Sequence, residues 1–271
     1  PAFVSLGGVS AGAGFFGNAF DPFVVQNAGS LPDDIAPARP LARSREDGRR
    51  ALLDDMDGDF SKTTNDAHVT ARKSLYQRAR TMMSSSAVQA FDLASEPQEA
   101  KDAYGDTPFG RGCLVARRLV EVGVPFVEVT LDGWDTHQNN FERTQKQMGI
   151  LDPAFSSLLT DLGARGVLDK TLIVCMGEFG RSPRINGDEG RDHHPNAFSV
   201  AMAGAGIRRG VAIGETDAEG AAVVRGNVSV PDVVATIASV MGLDPTTVEV
   251  TPAGRPIYVT EGGKPITEAL V

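Results

Sequence analysis

The run Thr171-Leu172-Ile173-Val174-Cys175-Met176, stopped by Gly177 and followed at once by Glu178, Arg181, Arg191, Asp192, His193 and His194, constrains this chain more than any other stretch. An apolar run without polar alternation is the pattern of a strand covered on both faces of a parallel sheet. In such sheets ligands sit outside the carboxyl ends of the strands. The acids, guanidinium groups and imidazoles between 178 and 194 therefore mark where chemistry is expected.

Around this strand the chain reads as α/β from Thr107 onward. Residues 112–120 have the period of an amphipathic helix, closed by Gly123, and Val124 to Leu131 follow as a strand rich in β-branched residues. That strand runs into Asp132-Gly133-Trp134-Asp135-Thr136-His137. Phe141 to Ala164 predict a long helix, with Pro153 at a first-turn position or a kink. Phe198 to Ala203 predict a third strand, the glycines between 207 and 228 a small hairpin, and Asp232 to Met241 a last helix opened by Pro231 and closed by Gly242. A short strand is expected near Ile257–Val259.

The first part of the chain differs. Residues 1–30 suggest a strand followed by a tight glycine-rich loop packed by Phe15, Phe16, Phe20 and Phe23. The glycines lack the lysine and the strand-to-helix setting of phosphate-binding loops, which argues against a nucleotide-binding domain. Leu31 to Pro40 read as a linker. Residues 41–104 are polar, charged and helical in period, with a break at Ser84-Ser85-Ser86, and predict a helical insertion or cap. Within it His68 has no second histidine or cysteine nearby, so a surface or capping role is expected.

With 26 basic against 35 acidic residues the net charge is −9, which excludes the basic footprint of a nucleic-acid binder. An anionic substrate would need local help from arginine or a metal. No apolar run approaches the roughly 20 residues of a membrane-spanning helix. Cys113 and Cys175 lie in apolar patterns and are read as packed free thiols.

Two strand ends thus deliver Asp135 with His137 and Glu178 with Arg181, and a third cluster, Asp192-His193-His194, leads into the next strand. Three of the four histidines fall in these loops, and carboxylate with imidazole is the donor set of zinc, manganese or a similar divalent ion. Ordinary structural roles stand beside this reading. Asp135 could cap a loop, Glu178 could pair with Arg181, and His193 could satisfy a backbone carbonyl.

The motifs GWDTHxxN at 133–140, TLIVCMGEFGRSP at 171–183, GRDHHP at 190–195, AGAGI at 203–207 and Asp232-Val-Val-Ala-Thr together resemble the DUF1501 family, over most of the chain from Pro1. That family is in turn similar to the sulfatase and alkaline-phosphatase superfamily. The resemblance implies a single domain over 1–271, an alkaline-phosphatase-like three-layer α/β/α sandwich with a mostly parallel sheet, carrying the helical cap at about 41–104. It also implies a divalent-metal site with Asp135, His137, Glu178 and His193 as ligands. Zinc is the first expectation, with manganese and calcium as alternatives. Arg181 would contact a substrate anion and Asp192 would orient a histidine, with His194 the weaker candidate. Glu-Phe-Gly stands where the superfamily has Asp-His-Gly, which removes one imidazole from a second metal position.

The superfamily's first metal-binding aspartate and its nucleophile precede the residues matched here, so the chain is expected to begin downstream of them. The implied activity is metal-dependent hydrolysis of small phosphate or sulfate esters, in a periplasmic or secreted protein. The alternative is a non-catalytic binding or assembly module that keeps the fold.

Overall fold

The computed structural model describes residues 1–8, 10–33, 35, 42–63, 67–251 and 253–271. Most of the linker expected at 31–40 lies outside them, as do the side chains of Phe15 and His68. The chain forms two compact units, Pro1–Leu131 and Asp132–Val271, of mixed α/β character.

The first unit holds β1 (Phe3–Leu6), β2 (Phe23–Val25), α1 (Arg43–Thr63), α2 (Ala67–Ser84), α3 (Gln98–Tyr104), α4 (Pro108–Glu121) and β3 (Phe126–Val129). β1 is the centre of a parallel three-stranded sheet in the order β2-β1-β3, with Val4 opposite both Phe23 and Val127. Strand side chains alternate between faces, so Val4 and Leu6, both fully buried, lie on one face with Val127 and Val129. α4 packs there: Gly112 comes so close to Val129 that a methyl group would collide with it. Thr107 caps α4 by accepting from the Gly110 N–H at 3.0 Å, and Gly123, at φ +85°, follows its end in the left-handed conformation.

Residues 1–30 differ from expectation in one respect. Phe23 belongs to a second strand and packs edge-on against Phe91 at 5.9 Å, whereas Phe16 and Phe20 are exposed. The helices expected between 41 and 104 are present as α1, α2 and α3, and α2 stops at Ser84, within the serine run.

On the other face of the sheet Ser5 is fully buried opposite Glu128, and neither Ser5 Oγ nor Glu128 Oε2 has a hydrogen-bond partner. A buried hydroxyl without a partner costs roughly 1–3 kcal/mol of desolvation. Ser5→Ala is therefore expected to raise stability by about 1 kcal/mol, read as a higher urea midpoint at unchanged slope. A loss of stability would mean that the hydroxyl is satisfied.

The second unit contains α5 (Asn140–Ala164), β4 (Leu172–Met176), β5 (Gly180–Arg181), β6 (His193–His194), β7 (Val200–Gly204), β8 (Glu215–Thr216), β9 (Val223–Arg225), α6 (Val230–Val240), β10 (Val248–Val250) and β11 (Pro256–Tyr258). β4 does not pair in parallel as its sequence suggests. It runs antiparallel to β7, from Leu172↔Gly204 to Met176↔Val200, and its side chains are half-buried up to Cys175, with Met176 exposed. The reason lies in the connection. A parallel return needs a crossover, usually a helix, and residues 177–199 contain none, so the chain comes back alongside β4 as a long hairpin. Pro153 is accommodated inside α5.

The Asp232 motif is explained by capping and by docking of the tail. Ser229 and Asp232 form a reciprocal capping box at the start of α6. Asp232 also accepts from the Lys264 N–H at 2.8 Å, and Thr236 Oγ1 accepts from the Ile266 N–H at 2.9 Å. The Lys264 bond, with those from Ser229, holds the Asp232 carboxyl below its usual range. Among the described residues no helix is long and apolar enough to cross a membrane.

Candidate metal centre

Two segments of the second unit build the site. The first runs from Asp132 into α5. The second is the excursion 177–199, whose strands β5 and β6 pair antiparallel with Arg181 opposite His193. Three polar clusters expected on three loops thus lie on two, because the second and third clusters face each other across this small ladder.

Backbone hydrogen bonds lock the segments together. The Arg191 N–H donates to the Thr136 carbonyl at 2.9 Å, and Asn139 and Asn140 N–H donate to the carbonyls of Asp188 and Glu189 at 3.1 and 2.9 Å. Asn139 takes up the left-handed conformation at φ 49°, as does Glu189 at φ 56°. Gly190 lies so close to the His137 carbonyl that any Cβ would overlap it. Thr136, the residue between the two first candidates, points inward, is fully buried and donates to Asn140 Oδ1 at 2.6 Å. Its neighbours Asp135 and His137 are left outward.

Asp135, His137 and His193 converge. One potential ligand atom from each lies within 4.8 Å of the other two, the one such group of three or more among the described residues. Asp135 Oδ1 is the hub, 3.1 Å from His137 Nε2, 3.0 Å from His193 Nε2 and 2.8 Å from Arg181 Nη2. The hydrogen bond with His193, then that from Arg181, and the nearby positive charges lower the Asp135 carboxyl to about 2. It is ionised at any ordinary pH.

His137 Nδ1 lies 3.0 Å from Asp192 Oδ1 on its far side, and that contact, with the Asn186 amide, holds Asp192 below the usual carboxylate range. Phe179 stacks on His193 with ring centroids 4.1 Å apart and lies under the Arg181 guanidinium at 5.4 Å. Arg191 is structural, donating to the carbonyls of Ser182 and Pro183 at 2.5 and 2.7 Å.

The structure therefore gathers Asp135, His137, His193, Arg181 and Asp192. Glu178 is exposed, and it is not a member of the cluster. Arg181 pairs with Asp135, so a Glu178–Arg181 pair is not what occupies the strand end. His193 meets the Asp135 carboxylate rather than a backbone carbonyl, and it is His194 whose Nε2 donates to a carbonyl, Ala221 O, at 2.7 Å. Phe179 and Asn186 were not singled out from the sequence. For Asn186 the signal was the Asn-Gly pair at 186–187, a turn signature inside the polar loop.

Two imidazole nitrogens and one carboxylate oxygen suit zinc or manganese, whereas calcium prefers an all-oxygen shell. Ligand distances of about 2.0–2.2 Å in tetrahedral geometry separate donors by roughly 3.3–3.5 Å, close to the spacing of the donors around Asp135.

A family model described as "Protein of unknown function (DUF1501)" matches residues 1–270 of the chain. No curated protein and no solved structure matches it.

Proposed function

We propose, for a chain that belongs to the DUF1501 family, a function built on a divalent cation: metal-dependent hydrolysis of small phosphate or sulfate esters. The observation that carries this reading is the convergence of Asp135, His137 and His193 beside a guanidinium already directed at the same carboxylate. These three residues would hold zinc or manganese. Bound there, the ion would polarise an ester oxygen and lower the pKa of a bound water from about 15.7 towards about 7. Arg181, held against Asp135 and over Phe179, would neutralise charge developing on the phosphoryl or sulfuryl oxygens. Asp192 would hold His137 with Nε2 towards the ion. The sandwich architecture and a periplasmic or secreted location belong to the same reading and rest on the resemblance.

A second reading, a cation-binding module without turnover, is favoured by the openness of the site. The side chains of Asp135, His137 and His193 are 65%, 44% and 50% exposed, and Glu178 adds no donor to the cluster. Calorimetric titration with zinc and manganese, followed by assays of the loaded chain on p-nitrophenyl phosphate and p-nitrophenyl sulfate, separates the two. Micromolar or tighter uptake with turnover is the expected result. Uptake without turnover leaves the binding module, and no uptake of either metal removes both.

A further inference from the structure

The side chain of Asn186 uses its whole hydrogen-bonding capacity inside the candidate site. Oδ1 accepts from the N–H groups of Asp188 and Gly190 at 3.0 and 2.8 Å, and Nδ2 donates to the His137 carbonyl and to Asp192 Oδ1, each at 3.1 Å. A carboxamide has two N–H donors and an oxygen with two lone pairs, so these four bonds fill it. One amide thus ties the turn at 186–190, the backbone of one imidazole residue and the carboxylate facing that imidazole.

The importance of this lies in His137, which stands between two carboxylates. Asp192 Oδ1 is 3.0 Å from Nδ1 and Asp135 Oδ1 is 3.1 Å from Nε2. A neutral imidazole carries one N–H, so the two acceptors compete for it. Only the tautomer with the proton on Nδ1 leaves the Nε2 lone pair facing Asp135 and His193. The Asp192 side chain is more than half exposed, and its hydrogen bonds are with His137 and Asn186. Without the amide it is free to turn into solvent, and Asp135 becomes the remaining acceptor for the ring.

We propose that Asn186 is the positioning residue that selects the metal-binding tautomer of His137. It does so by fixing Asp192 as the acceptor for Nδ1–H. The inference rests on the metal reading for its consequence, and on the hydrogen-bond geometry alone for the tautomer.

The test uses the intact chain with 15N-labelled histidine, free of metal and at alkaline pH, where the ring carries a single N–H. Wild type, Asn186→Asp and Asn186→Ala are compared. The aspartate variant keeps acceptors for Asp188 and Gly190, so it preserves the turn while removing both donors; it decides the matter if the alanine variant does not fold. The expected result is His137 mainly as the Nδ1–H form in wild type and shifted to the Nε2–H form in the variants. Zinc affinity should then fall about tenfold, the lower end of the 10–100-fold typical of groups that orient a ligand. A wild-type ring already in the Nε2–H form, or an Asn186→Asp chain with unchanged tautomer and unchanged zinc affinity, overturns the proposal. A wild type that takes up no zinc, but whose tautomer shifts on substitution, sinks the metal reading and leaves the role of Asn186 supported.

Discussion

Glu96→Ala is expected to cost about 3–5 kcal/mol of stability, the usual penalty for stranding one partner of a buried ion pair. Glu96 is 7% exposed and lies 2.5 Å from the guanidinium of Arg117, which is 2% exposed and projects from α4 into the first unit. Arg118 reaches the other carboxylate oxygen and also donates to the carbonyls of Ala90 and Gln89, so the acid joins α4 to the turns before it. Arg117 retains Glu121 at 2.9 Å, a quarter-exposed acid, so the variant loses the more deeply buried of these two carboxylates.

Burial pushes the Glu96 carboxyl up, and the hydrogen bonds and charges of Arg117 and Arg118 outweigh it, leaving the group below its ordinary range. A depressed carboxylate contributes stability above its unfolded value, about 4.3 for glutamate. The contribution fades as pH falls below that value through the folded one. Chemical denaturation should therefore show a smaller deficit of the variant at acidic pH than at neutrality. An equal deficit at both would remove the ion pair as its cause.

Asp135→Ala is expected to weaken zinc binding by more than about 100-fold, because even groups that only orient a ligand are worth 10–100-fold. The substitution deletes the oxygen that His137, His193 and Arg181 share. It also leaves three groups of positive or potentially positive character facing one another, so loss of the ligand and loss of charge balance act in the same direction. Glu178→Gln, measured in parallel, should leave affinity unchanged, since that side chain lies outside the cluster. Retained affinity in the Asp135 variant, or a large loss in the Glu178 variant, would reverse the assignment of donors.

The contrast between those two acids shows what the sequence could carry. Asp135, His137 and His193 were legible because three of four histidines fall beside carboxylates at the ends of apolar runs, and that concentration survives whatever the strand order is. Glu178 enters the ligand set through the resemblance and its place after a strand, but periodicity does not say which way the chain turns when the strand stops. β4 ends at Met176, and it is Phe179 and Arg181 that join the site, with Phe179 stacked on His193 and Arg181 on Asp135.

The direction of β4 was hidden for a similar reason. Leu172 to Met176 specify a strand, while its antiparallel partner is specified by the lack of a helix over 177–199, which local pattern reading does not weigh. The helices were clearer: α5 follows its apolar period, and α6 its period and the proline and glycine at its ends, to within two residues. Among the shortest strands, β11 and the β8–β9 hairpin lie where an apolar triplet and a run of glycines pointed, whereas β2 and β5 carry too little pattern to be seen.

The openness of the Asp135 cluster has a practical consequence. An ion held by three donors at such a surface would keep water in its remaining positions, exchange readily with the medium and yield to chelators. Buffer composition and purification history would then decide whether a given preparation is loaded.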